Sequence, residues 1–291
     1  MNKLRLGCAV NKAILYLIIA TSLFSVINVG VKLLAHIPAS EIVVFRGGIS
    51  FLICFYFLKR KKVSLIGKNK KVLFLRGFFG TVALVSLFIC LQKIPLAVSM
   101  TLINLSPILT VIIAHFYLKE RARPSQWILL VVSFLGVYLV RGGVEPVPLH
   151  WMALGVLAAL FAAMAYTCVR KLRLSEDPLV VIMYFPLVTV PLIGPVMIYE
   201  WETPQGWEWF ILIGIGIVTQ AAQYFMTLAY QMEKASKVMI FNYAGLFWGV
   251  LLGWVVFNES LNTQQMLGIL VVFLCLCGNY FVSLKDKPKV S

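Results

Sequence analysis

One basic residue stands inside an apolar segment, where a charge could bind a substrate. Arg46, in SEIVVFRGGIS, lies about seven residues, or roughly 10 Å of helix, from the nearer end of its apolar segment. A charged side chain at membrane depth is costly and is functional by default. Three interpretations stay open: Arg46 binds an anionic group, holds helices together, or extends outward to Glu41. Asn28 and Lys32, one turn apart, could face the same region, although Lys32 near the segment end favours extension to the membrane surface.

Polar residues recur in other apolar segments and are candidates for the wall of a cavity. Gln220, Gln223 and Tyr224 are spaced on one helix face, and such stripes face a cavity or a partner helix rather than lipid. For Asn104 and Asn242, lining a cavity and bridging two helices by a hydrogen bond both stay open. The candidate substrate-binding residues are Arg46, Asn28, Lys32, Asn104, Gln220, Gln223, Tyr224, Asn242 and Tyr243.

Catalytic and metal-binding chemistry is not indicated by the sequence. All 11 Asp and Glu residues fall at segment ends or in loops, so no membrane-embedded carboxylate is offered for proton-driven drug export. His36, His115 and His150 are scattered, and the six cysteines form no CxxC pair. We therefore predict a protein that is not an enzyme and that has no catalytic residues, no metal site and no cofactor.

Membrane-spanning helices must position these residues. Of the 291 residues, 61% are hydrophobic and 13% are charged, whereas soluble proteins have about 25% charged residues. Apolar runs of about 20 residues match the thickness of a bilayer. We predict an all-α, multi-pass protein of the cell (inner) membrane with ten spans at 12–34, 39–58, 72–92, 96–118, 126–141, 150–170, 178–199, 207–229, 236–257 and 263–284.

The net charge of +15 is distributed on one side of this membrane pattern. Apart from Lys32, Arg46, Lys93 and Arg141, we assign the other 22 of the 26 Lys and Arg residues, Arg76 among them, to alternate loops. The positive-inside rule makes that side cytoplasmic, together with both termini. The pattern argues against nucleic-acid binding, so the predicted partners are a small-molecule substrate and the lipid bilayer, and we expect a monomer.

The two halves of the chain resemble each other. A shift of 138 positions places Asn104 opposite Asn242, and a shift of 139 places Glu120 opposite Glu259 and Gln126 opposite Gln265. We interpret both glutamates as structural. Each half, 1–145 and 146–291, holds five predicted spans; because five is odd, the second half must be inverted in the membrane. Inverted repeats are typical of secondary transporters.

Small residues recur at the same positions of both halves. The spacing of four residues gives a smooth helix face that another backbone can approach closely. This pattern predicts that the fourth and ninth spans pack together, and Pro107 predicts a bend in the fourth. The predicted packing residues are Ser106, Thr110 and Ala114 in the fourth span, and Gly245, Gly249 and Gly253 in the ninth.

Four motifs resemble one family: FRGG, LRGFFG, IPLAVSMTLINLSPILTVIIAHFYLKER and NESLNTQQMLG. Together with the ten spans, they resemble the drug/metabolite transporter superfamily, in particular its EamA-like bacterial members. The resemblance implies a cavity between spans 1 to 4 and 6 to 9, spans 5 and 10 as scaffold, and alternating access. Asn28, Lys32, Arg46 and Arg76 look like members that handle amino-acid-like or nucleoside-containing metabolites, S-adenosylmethionine carriers included.

The leading hypothesis is a secondary active transporter of a small polar or zwitterionic metabolite. An amino acid, a nucleoside-containing compound or another organic anion would fit Arg46. The alternative is a lipid flippase or scramblase, which needs a polar groove open to the bilayer. Transport of labelled lipid across vesicles would distinguish the two.

Overall fold

The computed structural model describes residues 2–117, 123–142, 146–232 and 244–284, with side chains from residue 12 onward except at 114, 283 and 284. These ranges form helices and contain no strand. The helices are α1 Asn2–Leu33, α2 Ala39–Arg60, α3 Lys70–Lys93, α4 Leu96–Ile103, α5 Ser106–Tyr117, α6 Pro124–Val140, α7 Leu149–Leu172, α8 Pro178–Tyr199, α9 Glu208–Met232, α10 Ala244–Phe257 and α11 Thr263–Leu284.

The predicted all-α membrane architecture is confirmed. Eight helical segments in the described ranges are long and apolar enough to cross a bilayer, and α4 and α5 together form one of them. The other two predicted spans coincide with the shorter apolar helices α6 and α10. Residues 236–243 of the predicted ninth span lie outside the described residues. The chain is therefore a multi-pass membrane protein.

The fourth predicted span is interrupted where the sequence places Asn104 and Pro107. Helix α4 ends at Ile103 and α5 begins at Ser106. Proline has no backbone N–H and cannot continue the hydrogen-bond ladder. The Met100 carbonyl, near the end of α4, accepts both the backbone N–H of Asn104 at 3.1 Å and its side-chain amide at 2.7 Å. A polar junction therefore lies in the middle of an apolar segment.

The helices of the two halves pack against each other in exchanged pairs. Helix α1 packs along α9, and α3 packs along α7. Helix α2 packs along α8, and α6 packs along α11. If each span of the first half is matched with the corresponding span of the second half, α1 corresponds to α7 and α3 to α9. The α1–α9 contact then corresponds to the α7–α3 contact. The α2–α8 and α6–α11 contacts each join two corresponding helices.

Two apolar clusters lie toward opposite ends of these helices and leave a polar layer between them. One includes Leu17 of α1 and Leu58 of α2, and the other includes Val31 of α1 and Ile42 of α2. Ser25, Arg46 and other buried polar side chains fall between the two. Because polar groups in hydrocarbon are costly, this layer must serve either helix contacts or a cavity.

Candidate functional site

A cavity of about 160 Å³ lies at the centre of the described residues. Its wall is formed by side chains of α1 to α5 and α7 to α10, whereas α6 and α11 contribute none. Those two helices pack mainly on each other, as expected for a scaffold. The polar residues of the wall are Thr21, Ser25, Asn28, Arg46, Arg76, Asn104, Ser106, Tyr166 and Gln223.

Two arginines from neighbouring helices lie beside the same aromatic ring. The guanidinium carbon of Arg46 is 5.5 Å from the ring centre of Phe185, and that of Arg76 is 5.2 Å away. Arg46 also lies 5.6 Å from the ring centre of Phe88. Both arginines are almost fully buried, with 3% and 4% of their surface exposed. The aromatic faces stabilise the two cations but carry no compensating charge.

Each of these arginines is followed by a glycine that brings α8 close. A Cβ atom added at Gly77 would lie 2.6 Å from the Tyr184 carbonyl oxygen and 2.7 Å from Val188. At Gly47, it would contact Val190 and Pro186 of the same helix at ordinary distances. The missing side chain at Gly77 therefore lets α8 approach α3 closely. Phe185 of α8 then lies beside both arginines.

The two cations have no carboxylate partner in the described part of the chain. The Nε atoms of Arg46 and Arg76 have no hydrogen-bond acceptor there, and Nη2 of Arg76 donates to Gln223 Oε1 at 3.2 Å. Among the described residues, no Asp or Glu contributes to the cavity wall. An arginine at membrane depth costs roughly 2.5 to 3.5 kcal/mol on insertion scales. The cavity wall therefore carries two buried positive charges that no carboxylate of the described residues neutralises.

Four of the predicted binding residues line this cavity: Arg46, Asn28, Asn104 and Gln223. The Asn28 amide donates to the sulfur of Met100 at 3.2 Å. Asn104 both faces the cavity and bonds its own helix, so the two interpretations of this residue coexist. The proposed extension of Arg46 to Glu41 is not seen, because the Glu41 carboxylate accepts the backbone N–H of Glu202 at 3.2 Å.

Three other predicted residues do not contribute to the wall. The Lys32 ammonium pairs with the carboxylate of Glu259 and donates to the Ile94 carbonyl at 3.1 Å.

Gln220 points to α2, where it accepts from Ser50 at 2.5 Å and donates to the Cys54 sulfur. Tyr224 packs at the edge of an apolar cluster. The stripe on α9 is therefore divided, with only Gln223 at the cavity. Asn242 and Tyr243 lie outside the described residues.

The small-residue face of the ninth predicted span lies against the fourth predicted span, whereas the small residues of the fourth span lie elsewhere. A Cβ added at Gly249 would lie 2.6 Å from Met100, and one at Gly253 would lie 3.7 Å from Leu96. Helix α10 thus packs on α4, whereas Ser106 and Thr110 are buried in α5, which packs mainly on α7. Gly245 lines the cavity. The side chain of Ala114 lies outside the described residues. The break at Asn104 explains the difference, because it separates α4 from the face that α5 presents.

Sequence reasoning named Arg76 only through the family resemblance, left it out of the candidate binding residues, and missed Phe185. Assigning Arg76 to a cytoplasmic loop was wrong, because α3 begins at Lys70 and Asn69 caps it by accepting the N–H of Val72 at 3.4 Å. Arg76 is six residues inside its helix, and Arg46 is seven residues inside α2. An Arg-Gly pair six or seven residues after the helix start, present in both α2 and α3, was the available signal. Phe185 carried none, because one phenylalanine among 20 has no distinguishing pattern.

Comparisons with known proteins agree with a transport protein. The profile of the EamA-like transporter family matches residues 11–142 and, a second time, residues 149–281. The pseudopaline exporter CntI of Pseudomonas aeruginosa is 30% identical over 90% of this chain and 94% of its own. Human solute carrier family 35 member G1 is 30% identical over 84% of this chain and 72% of its own.

Two further comparisons are more distant. A riboflavin transporter of Vibrio cholerae is 25% identical over 82% of this chain and 81% of its own. One solved crystal structure superposes with a TM-score of 0.71 over 95% of this chain and 99% of that chain. Its sequence identity of 17% shows a shared fold and no more.

Proposed function

The chain belongs to the EamA-like transporter family, whose relatives are named as transporters and not as enzymes, and we propose that it is a secondary active transporter. Its substrate is a small polar or zwitterionic metabolite with an anionic group. Transport follows alternating access to the central cavity. The observation that carries this proposal is the pair of buried arginines, Arg46 and Arg76, in a wall without carboxylates.

Binding follows from the charge of the wall. An anionic group next to Arg46 supplies the charge that this guanidinium lacks and can accept two parallel N–H bonds from it. Asn28, Asn104 and Tyr166 line the same space and offer hydrogen bonds to the polar remainder of the substrate. A low-dielectric surrounding strengthens each of these interactions. The cavity therefore favours an anion over a neutral solute of the same shape.

Alternating access requires each end of the cavity to open in turn. At one end, Glu259 binds Lys32 and also accepts the backbone N–H of Leu96 at 2.8 Å. At the other end, Glu176 accepts the backbone N–H groups of Lys68 and Asn69 at 2.7 and 2.6 Å. One set must break while the other holds. We assign the Lys32 end to the outside, with both termini in the cytoplasm, from the distribution of basic residues.

An inverted repeat provides the structural basis for such a cycle. The exchanged α1–α9 and α3–α7 contacts, and the family profile that matches twice, support two related halves. When the two halves swap conformations, a cavity open on one side becomes open on the other. The relatives are named for different substrates, so the substrate of this chain is inferred from its own cavity.

The test is thermal stabilisation of the detergent-purified protein by a panel of amino acids, nucleosides and organic anions. A ligand that binds only the folded state raises the melting temperature. We expect an anionic metabolite to stabilise the wild type and the exposed control Lys59→Gln, but not Arg46→Gln. Stabilisation that survives in Arg46→Gln would remove Arg46 from the site. Silence across the panel, with transfer of headgroup-labelled lipid across vesicles, would favour a flippase instead.

A further inference from the structure

The central cavity holds two separate cationic groups rather than one. Arg46 comes from α2 and Arg76 from α3, and their guanidinium carbons lie 5.5 and 5.2 Å from the centre of one Phe185 ring. Building on the proposed transport function, we propose that the substrate carries two anionic groups. One is bound by Arg46 and the other by Arg76. This assigns a second anion subsite to Arg76, Gln223 and the neighbouring Tyr166.

The balance of charge in the cavity supports two anionic groups. A single carboxylate neutralises one guanidinium and leaves the other buried without a partner, and a buried charge without a partner is strongly destabilising. The described wall contains no Asp or Glu that could take this place. The partners of the two arginines are the Phe88 and Phe185 rings and the uncharged amide oxygen of Gln223. Because no described residue supplies a negative charge to the wall, a substrate with two anionic groups would neutralise both arginines.

The contacts also show that the two subsites are distinct. Gln223 Oε1 accepts from Nη2 of Arg76 and fixes the orientation of that guanidinium. Arg46 is oriented differently, by the ring of Phe88 at 5.6 Å. The two guanidinium carbons can be no farther apart than the sum of their distances to the Phe185 centre. A short dicarboxylate can therefore reach both arginines, and each of its ends meets a separate fork of donors.

Matched pairs of small acids and their half-amides test this proposal. Glutamate and glutamine have the same shape and differ by one negative charge, as do succinate and succinamate. We would measure thermal stabilisation and binding by titration for each pair with the purified wild type. We expect the diacid of at least one pair to bind more tightly than its half-amide by about tenfold, the effect of one charge-assisted hydrogen-bonded contact.

Two variants examine the second subsite itself. In Arg76→Gln, we expect the diacid and its half-amide to bind equally, because only the Arg46 subsite remains. In Gln223→Glu, a carboxylate of nearly the same shape is placed at the atom that Arg76 already contacts. We expect this variant to lose the preference for the diacid while keeping the half-amide. Gln223→Glu also keeps the acceptor for Arg76 Nη2, so it can test the second subsite if Arg76→Gln does not fold. Lys59→Gln, exposed on α2, is the control and keeps the wild-type preference.

The outcomes separate this inference from the proposed function. Equal binding of every diacid and its half-amide to the wild type would overturn the second subsite and leave a transporter of monoanions intact. A diacid preference that survives in Arg76→Gln and Gln223→Glu would also overturn it. Stronger stabilisation by inorganic phosphate than by any diacid would place both charges on one group and contradict two separate subsites. Failure of all acids to bind would overturn the proposed function together with the inference.

Discussion

Lys32 and the two cavity arginines are all largely buried cations, yet their surroundings differ. Lys32 is linked to the carboxylate of Glu259, which is far away in the sequence, and lies 5.3 Å from the ring centre of Phe257. Arg46 and Arg76 meet aromatic rings and an amide but no acid in the described part of the chain. Lys32, at the end of its helix, has a carboxylate partner supplied by the protein itself. In our proposal, the cations at the centre are neutralised by a substrate.

This difference separates a structural charge from a binding charge. A buried ion pair holds two elements together, and losing one partner leaves the other uncompensated. An unpaired cation in a cavity gives the protein no such contact and is stabilised when an anion binds. Substitutions at the two places should therefore affect different measurements.

The largest effect is expected at Arg46. In Arg46→Gln, anion binding loses a charge-assisted contact worth about 1.5 to 3 kcal/mol, or roughly tenfold to a hundredfold in affinity. Uptake of a radiolabelled anionic substrate into proteoliposomes measures the loss. Lys59→Gln, which removes an exposed charge from the same helix, should transport normally. Normal uptake by Arg46→Gln would break the distinction between the two kinds of cation.

The next largest effect is expected at the glycine that lets α8 approach. In Gly77→Ala, the new methyl group overlaps Tyr184 and Val188, and such overpacking costs about 1 to 3 kcal/mol. Both the melting temperature and anion binding should fall, because Phe185 moves with α8. Gly48→Ala is the matched control, since no described atom lies within 4 Å of its added Cβ. Equal melting temperatures for the two variants would contradict the close approach.

A smaller effect is expected at the ion pair. Lys32→Gln and Glu259→Gln should each lower the melting temperature, by about 1 kcal/mol of stability or less for a partly exposed pair. Glu259→Gln should be the more damaging, because its carboxylate also accepts the N–H of Leu96. Stabilisation by an anionic ligand should persist in both. If Lys32→Gln lost ligand stabilisation while keeping its own melting temperature, Lys32 would belong with the cavity arginines.

The smallest effect should separate two glutamines on α9. Gln220→Leu removes hydrogen bonds to Ser50 and Cys54, so it should lower stability by about 0.6 kcal/mol, an average value for membrane helix contacts. Its anion binding should not change. Gln223→Leu removes the acceptor of Arg76 and should weaken binding more than stability. Differential scanning fluorimetry with and without ligand reports both quantities, and the same response in both variants would remove Gln223 from the site.

Much of the fold could be predicted because membrane helices are local in sequence. The apolar runs predicted the positions of the eight long helical segments and of α6 and α10. The residues Asn104 and Pro107 predicted the interruption of the fourth span, since a missing N–H acts within one turn. The register of the repeat also agrees with the capping of two helices. The Gln126 and Gln265 side chains each accept the backbone N–H three residues earlier, at the starts of α6 and α11.

The site was predicted only in part because its residues come from helices that are distant in sequence. The depth of Arg46 in α2, and the polar types of Asn28, Asn104 and Gln223, were visible in the sequence. Helical periodicity predicted that the polar residues of α9 share one face. It could not show that Gln220 contacts α2 whereas Gln223 lines the cavity. That division depends on which helix packs on each part of the stripe.

The sequence by itself determined the membrane class, the distribution of charge, the repeat and the presence of Arg46 at depth. These follow from composition, from spacing and from the cost of polar groups in lipid. Only the tertiary structure decided that Arg76 joins Arg46, that Phe185 lies between them, and that Lys32 finds Glu259. Close packing of α8 against Gly77 of α3 fixes the first two, and the meeting of α1 with the end of α10 fixes the third. Such contacts are properties of helix pairs, which no single segment encodes.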